Sequence, residues 1–103
     1  MSVTFAAAAQ RDVRDIFIES ARRFGATAAL ERVERMLEHV DRTLGAVSQS
    51  GRARPEFGPT VRSYSIVPYV AFCDVRGAEK RVLRVLHCQR DLRGPLMALL
   101  AAC

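Results

Sequence analysis

Residues 61–92 read VRSYSIVPYVAFCDVRGAEKRVLRVLHCQRDL, and the fold is decided there. Three runs rich in Val, Ile, Tyr and Phe follow one another, over 61–67, 69–76 and 80–87. Such side chains suit a pleated, half-buried surface. Pro68 separates the first run from the second, and Gly77 marks the turn into the third. Connections this short leave no room for a crossover, so the spacing predicts an antiparallel three-stranded meander. Arginines are set among the apolar residues. Arg62 enters the first strand and Arg84 lies between Val82 and Leu86 in the third, where it needs a carboxylate or water; Asp91 and Glu56 are candidates. Tyr64, Tyr69 and Phe72 read as sheet packing, and His87 as a strand-end histidine.

Working outward, the pattern upstream is helical. From about Ala8, residues Val13, Ile16, Phe17, Ser20 and Phe24 recur at steps of three and four. Gly25 is placed to end this helix as a glycine C-cap. Thr27 offers an N-cap hydroxyl for a second helix, whose stripe is Leu30, Val33, Leu37, Val40, Leu44 and Val47. Its other face holds Glu31, Arg32, Glu34, Arg35, Glu38 and Arg42, with Glu31–Arg35 and Glu38–Arg42 spaced for i,i+4 pairing. Two apolar stripes joined by a loop of two or three residues predict an intramolecular hairpin rather than a coiled-coil dimer. Residues 3–5 form a short edge strand ahead of it. Residues 48–59, with two glycines and two prolines, read as an irregular crossing, and 95–102 as a final short helix begun by a proline.

The chain has 103 residues, half of them hydrophobic, which predicts one α+β domain over 1–103 with one modest core. No apolar run approaches the ~20 residues of a membrane span. The opening Val3-Thr4-Phe5-Ala6 lacks a basic leader and reads poorly as a signal peptide, so a cytoplasmic location is expected. Cys73, Cys88 and Cys103 show no Cys-x-x-Cys spacing, and with only His39 and His87 beside them they give no zinc pattern. A reduced state is expected for all three. The net charge is +5, and fifteen of the sixteen basic residues are arginine. Arginine forks match carboxylate and phosphate at two points, so this surface suits an acidic peptide or nucleic acid.

One family joins these features. Gly51-Arg52 with Glu56, Arg62 entering a strand, Tyr69-Val70-x-Phe72, Leu83-Arg84-Val85-Leu86-His87 and Arg90-Asp91-Leu92 together resemble the ParE/RelE superfamily of toxins from bacterial type II toxin–antitoxin systems, in its ParE-like branch. The resemblance covers roughly residues 3–92. It implies the toxin fold: a short N-terminal strand, a two-helix hairpin, a three-stranded antiparallel meander and a short C-terminal helix. It also implies a non-enzymatic inhibitor of DNA gyrase, cytoplasmic, without cofactor or metal. A cognate antitoxin would silence it in a hetero-oligomer, through an acidic C-terminal segment behind a ribbon-helix-helix domain.

Residues implied at the antitoxin- or target-binding surface are Arg52, Arg54, Arg62, Arg84, His87, Arg90 and Asp91. The alternative is the RelE-like branch, a ribosome-dependent mRNA endoribonuclease, with His87, Arg62 and Glu56 as its catalytic candidates. That chemistry needs a base, a cation at the phosphorus centre and an acid. This chain has Tyr69-Val70 where the nuclease branch ending in His-Tyr carries a His-Arg pair, and Cys88 where that branch has its tyrosine. A third reading is a silenced relative that only binds an antitoxin.

Overall fold

The computed structural model describes residues 2–46, 51–66 and 68–88. The chain runs β1 (Ser2–Phe5), α1 (Ala7–Phe24), α2 (Ala26–Ala46), β2 (Arg52–Ala53), β3 (Val61–Ile66), β4 (Tyr69–Arg76) and β5 (Glu79–His87). The α+β expectation holds, as does the meander of β3, β4 and β5. Two features of the sheet go beyond it. β2, inside the expected irregular crossing, pairs antiparallel with β3, Arg52 opposite Ser63. β1 pairs parallel with β5, Val3 opposite Lys80 and Phe5 opposite Val82. The result is a five-stranded sheet in the order β1-β5-β4-β3-β2.

The helices form the expected hairpin, with a tighter joint than the sequence suggests. Gly25 alone connects them. Its φ of +87° lies where side chains are disfavoured, its N–H donates to the Ala21 carbonyl, and its own carbonyl accepts from Ala29 N. Thr27 therefore lies inside the first turn of α2 and is not its N-cap. The buried stripe of α2 is rotated from the expected one: Ala29, Val33, Met36, Val40 and Leu44 are buried, while Leu30 is 51% exposed. Phe24, expected in the core, is 55% exposed and covered by the Arg32 guanidinium at 4.8 Å from its ring centroid. Neither Glu31–Arg35 nor Glu38–Arg42 forms an ion pair; among the described residues the helical pair is Glu19–Arg23 at 3.2 Å.

The main core lies between this hairpin and one face of the sheet, where Ile16, Val33, Met36, Val40 and Leu44 meet Tyr64, Tyr69, Cys73, Val82 and Val85. On the other face Val70, Phe72 and Cys88 form a smaller cluster with Leu86. Phe57 sets its ring edge-on against Phe72 at 5.6 Å. Cys73 is a free thiol without solvent exposure, which burial pushes up to about 12. Cys103 lies outside the described residues. The expected helix over 95–102 lies outside the described residues.

Candidate target- and partner-binding surface

A bulge in β5 sets the position of Arg84. On β4, Phe72 is opposite Arg84 and the next residue, Cys73, is opposite Val82, so Leu83 is the extra residue. β1 reaches no further along β5 than Val82. Past that point Asp12, in the second turn of α1, takes the place of a strand. Its Oδ2 accepts from the Val85 backbone N–H at 3.0 Å and from Arg84 Nε at 2.7 Å, while its Oδ1 accepts from Arg84 Nη2 at 3.1 Å. Arg84 is thus held in a two-point grip with its side chain still 49% exposed. Sequence reasoning offered Asp91 and Glu56 as its partners. Asp91 lies outside the described residues, and Glu56 stands near Arg54 instead.

The Gly-Arg-x-x-x-Glu segment folds back on β3. Arg52 is exposed on β2. Arg54, two residues on, turns inward and is only 5% exposed. Its Nε donates to Ser63 Oγ at 2.8 Å, its backbone N–H donates to the Val61 carbonyl at 2.9 Å, and its Nη1 lies 4.0 Å from Glu56 Oε2. Burial and then the neighbouring Arg52 lower the Arg54 pKa, and Glu56 opposes them. Arg54 therefore fixes the loop rather than presenting its charge. Half-buried Arg62 donates through Nη1 to the Gly51 carbonyl at 2.6 Å. Tyr64 closes over the same glycine: a Cβ at Gly51 would stand 2.5 Å from its ring. Burial raises the Tyr64 phenol, with a smaller push from Cys73, while Arg62 and the Gly51 backbone pull it down.

His87 is half-buried at the end of β5, directly opposite Tyr69, and the two rings meet edge-to-face at 5.5 Å. Arg62 is opposite Cys73, four residues along β4 from Tyr69. Four residues of strand is about 13 Å, before the spacing between strands is added. Glu56 belongs to the loop beside Arg54. The three residues named for the nuclease alternative are therefore not gathered at one point. Arg90 and Asp91 lie outside the described residues.

Two carboxylates were given no role by the sequence reading. Asp74 accepts a short hydrogen bond from the Thr60 hydroxyl and an ion pair from Arg76 Nε at 3.1 Å. Thr60 most of all holds its carboxyl below the ordinary value; partial burial opposes this, and Arg76 and Arg81 add to it. Asp12 was equally missed, because nothing in an exposed-looking Gln-Arg-Asp at the start of a helix announces a partner seventy residues away. The only available signal was that Arg84 needed an acid.

Comparison with known proteins bears on the family and the fold. The model of the family described as "ParE toxin of type II toxin-antitoxin system, parDE" matches residues 3–92. The structure is similar to a solved chain of the chromosomal ParDE TA system from P. aeruginosa, with a TM-score of 0.71 and 29% sequence identity, covering 84% of this chain and 95% of that one. No curated protein matches.

Proposed function

The chain belongs to the ParE toxin family of type II toxin–antitoxin systems, and from that premise we propose that it arrests growth by inhibiting DNA gyrase and is silenced by a cognate antitoxin. The observation that carries the reading is the extent of the family match: residues 3–92 take in the whole hairpin and, but for Ser2, all five strands. The separation of His87, Arg62 and Glu56 supports a toxin that acts by binding rather than by cleaving RNA.

In this reading the working surface includes the exposed guanidinium of Arg84, with Arg52, Arg62, His87, Arg90 and Asp91 as further contacts. Arg54 acts from beneath by holding the loop. Interfaces draw much of their affinity from a few residues, arginine prominent among them. An arginine pre-set by a two-point grip loses little side-chain freedom on binding. The antitoxin contributes an acidic segment, suited to a chain of net charge +5. No described helix is long and apolar enough to cross a membrane, and the proposed site of action is the cytoplasm, where gyrase works.

The test is a supercoiling reaction with purified gyrase. Inhibition with trapped cleaved DNA at near-stoichiometric toxin, relieved by the antitoxin, is the expected result. A folded protein that leaves gyrase untouched and instead cuts mRNA on programmed ribosomes would replace this reading with the nuclease one.

A further inference from the structure

The apex of the helical hairpin carries arginines that have found no acid. Between Ser20 and Leu30 the only charged residues are Arg22 and Arg23, both exposed. Arg23 is paired with Glu19, but among the described residues Arg22, Arg32 and Arg35 have no carboxylate partner. The exposed guanidiniums of Arg76 and Arg84, by contrast, are each tied to an aspartate. Phe24 stands among the unpaired ones, 55% exposed, with Arg32 at 4.8 Å from its ring centroid. This ring is held at the surface by a cation and not by the core. Arg32 also lines a groove of about 290 Å³ beside α2, together with Arg35 and His39, and no carboxylate lines it among the described residues. At 3.6 residues per turn these three side chains fall within about 60° of one another around α2, along a row about 10 Å long. Glu34 falls on the opposite side, and Glu31, which borders the row, forms no ion pair with Arg35.

From this arrangement we infer that the hairpin apex binds a short run of unpaired nucleotides, one base stacked on Phe24 and the following phosphates set along Arg32, Arg35 and His39. An open aromatic ring beside a cationic track is the combination that single strands use, and every base has a face to offer it. The guanidiniums supply two-point contacts to phosphate, and the exposed imidazole of His39 adds an N–H donor. At about 3.4 Å per nucleotide of a stacked strand, the row spans about three nucleotides. The bases of a duplex are stacked on each other and give Phe24 nothing to hold. An acidic peptide is drawn to the same charges, so the ring decides between the two: stacking on Phe24 is what sets the single strand apart. The site lies beyond the gyrase reading, and neither outcome of the supercoiling reaction bears on it.

The experiment uses the full chain and a fluorescein-labelled single-stranded DNA of 12 mixed-sequence nucleotides. Its companions are an RNA of the same sequence, the corresponding DNA duplex and a 12-residue oligoglutamate. Circular dichroism verifies the fold of every variant. Phe24→Ala is expected to weaken single-strand binding about five- to a hundredfold while leaving its salt dependence unchanged, because a stacked base and no charge is lost. Arg32→Ala/Arg35→Ala is expected to reduce the slope of log K against log salt by about 1.4, and Arg11→Ala/Arg14→Ala, two exposed arginines on α1, to change affinity less than about threefold. The chain has no tryptophan, so Phe24→Trp restores a ring and is a unique reporter: it is expected to bind at least as tightly as wild type, with its fluorescence quenched by the single strand. Either single strand fulfils the assignment, and the one bound more tightly names the source. Duplex or oligoglutamate bound as well as the single strands, full affinity in Phe24→Ala, binding without quenching in Phe24→Trp, or equal loss from the two arginine pairs overturns it.

Discussion

Replacing Asp12 with alanine removes three hydrogen bonds at once, but their worth is unequal. The two bonds from Arg84 form an ion pair whose arginine is half exposed, and such pairs contribute about 0–1 kcal/mol. The bond from Val85 N–H is different. It belongs to the bulged strand, no residue of β1 reaches it, and a partly buried donor left without an acceptor costs about 1–3 kcal/mol. Asp12→Ala is therefore expected to cost about 2–3 kcal/mol in total. Arg84→Ala leaves the backbone bond in place and costs about 0.5 kcal/mol. Asp12→Asn retains an acceptor for Val85 and falls between the two. Urea unfolding of the two alanine variants and the double variant measures this directly, with unchanged m-values as the check on two-state behaviour. At this chain length about 2 kcal/mol is a loss of roughly 8–16 °C in Tm. Equal costs for Asp12→Ala and Arg84→Ala would refute the reasoning, because the stability would then reside in the ion pair and not in the bulge.

Two other predictions concern stability. Gly51→Ala puts a Cβ 2.5 Å from the Tyr64 ring, which the core holds in place, and is expected to destabilise by about 1–3 kcal/mol; a melting temperature unchanged by the substitution would show that Tyr64 is free to move. The Asp74 carboxyl is held below its ordinary value chiefly by Thr60, so its contribution is present above the unfolded-state pKa of about 3.9 and is lost as pH falls through the lower folded value. Thr60→Val raises the folded pKa towards the unfolded one. Acid unfolding followed by circular dichroism should then begin at a higher pH than in the wild type, and an unmoved midpoint would remove Asp74 from the acid sensitivity.

The meander was legible because its signals are local: Pro68 and Gly77 stop strands, and the β-rich runs between them contain nothing else to form. The hairpin was legible for the same reason, through Gly25. Leu30 and Phe24 misled because periodicity marks a stripe more widely than packing uses it. Alanine at position 29 lets α2 approach the core more closely than Leu30 would, and the helix rotates accordingly. β2 is two residues long and carries Arg52, so it has no strand pattern to read. Arg84 was placed by assuming unbroken alternation between Val82 and Leu86. The bulge at Leu83 breaks it, and bulges leave little trace in sequence unless a glycine marks them. Of the candidate site residues, sequence found the arginines but not their states. Arg54 and Arg62 look alike in the chain, and only the fold over Gly51 and Ser63 separates the charge that is buried from the one that is half exposed.

The parallel pairing of β1 with β5 has a consequence for synthesis. Val3 finds its partner in Lys80, so β1, made well before β5, waits for it. Closing a loop of roughly 77 residues costs about 4 kcal/mol in chain entropy, and the strand contacts compensate that only once both ends are present. At about 5–20 residues per second, β1 and the hairpin spend seconds without the sheet that completes their core. A nascent or truncated chain that lacks β5 has neither the edge that receives β1 nor the bulge that receives Asp12. The surface proposed above for target and antitoxin therefore forms only once β5 has been made and not gradually along the chain.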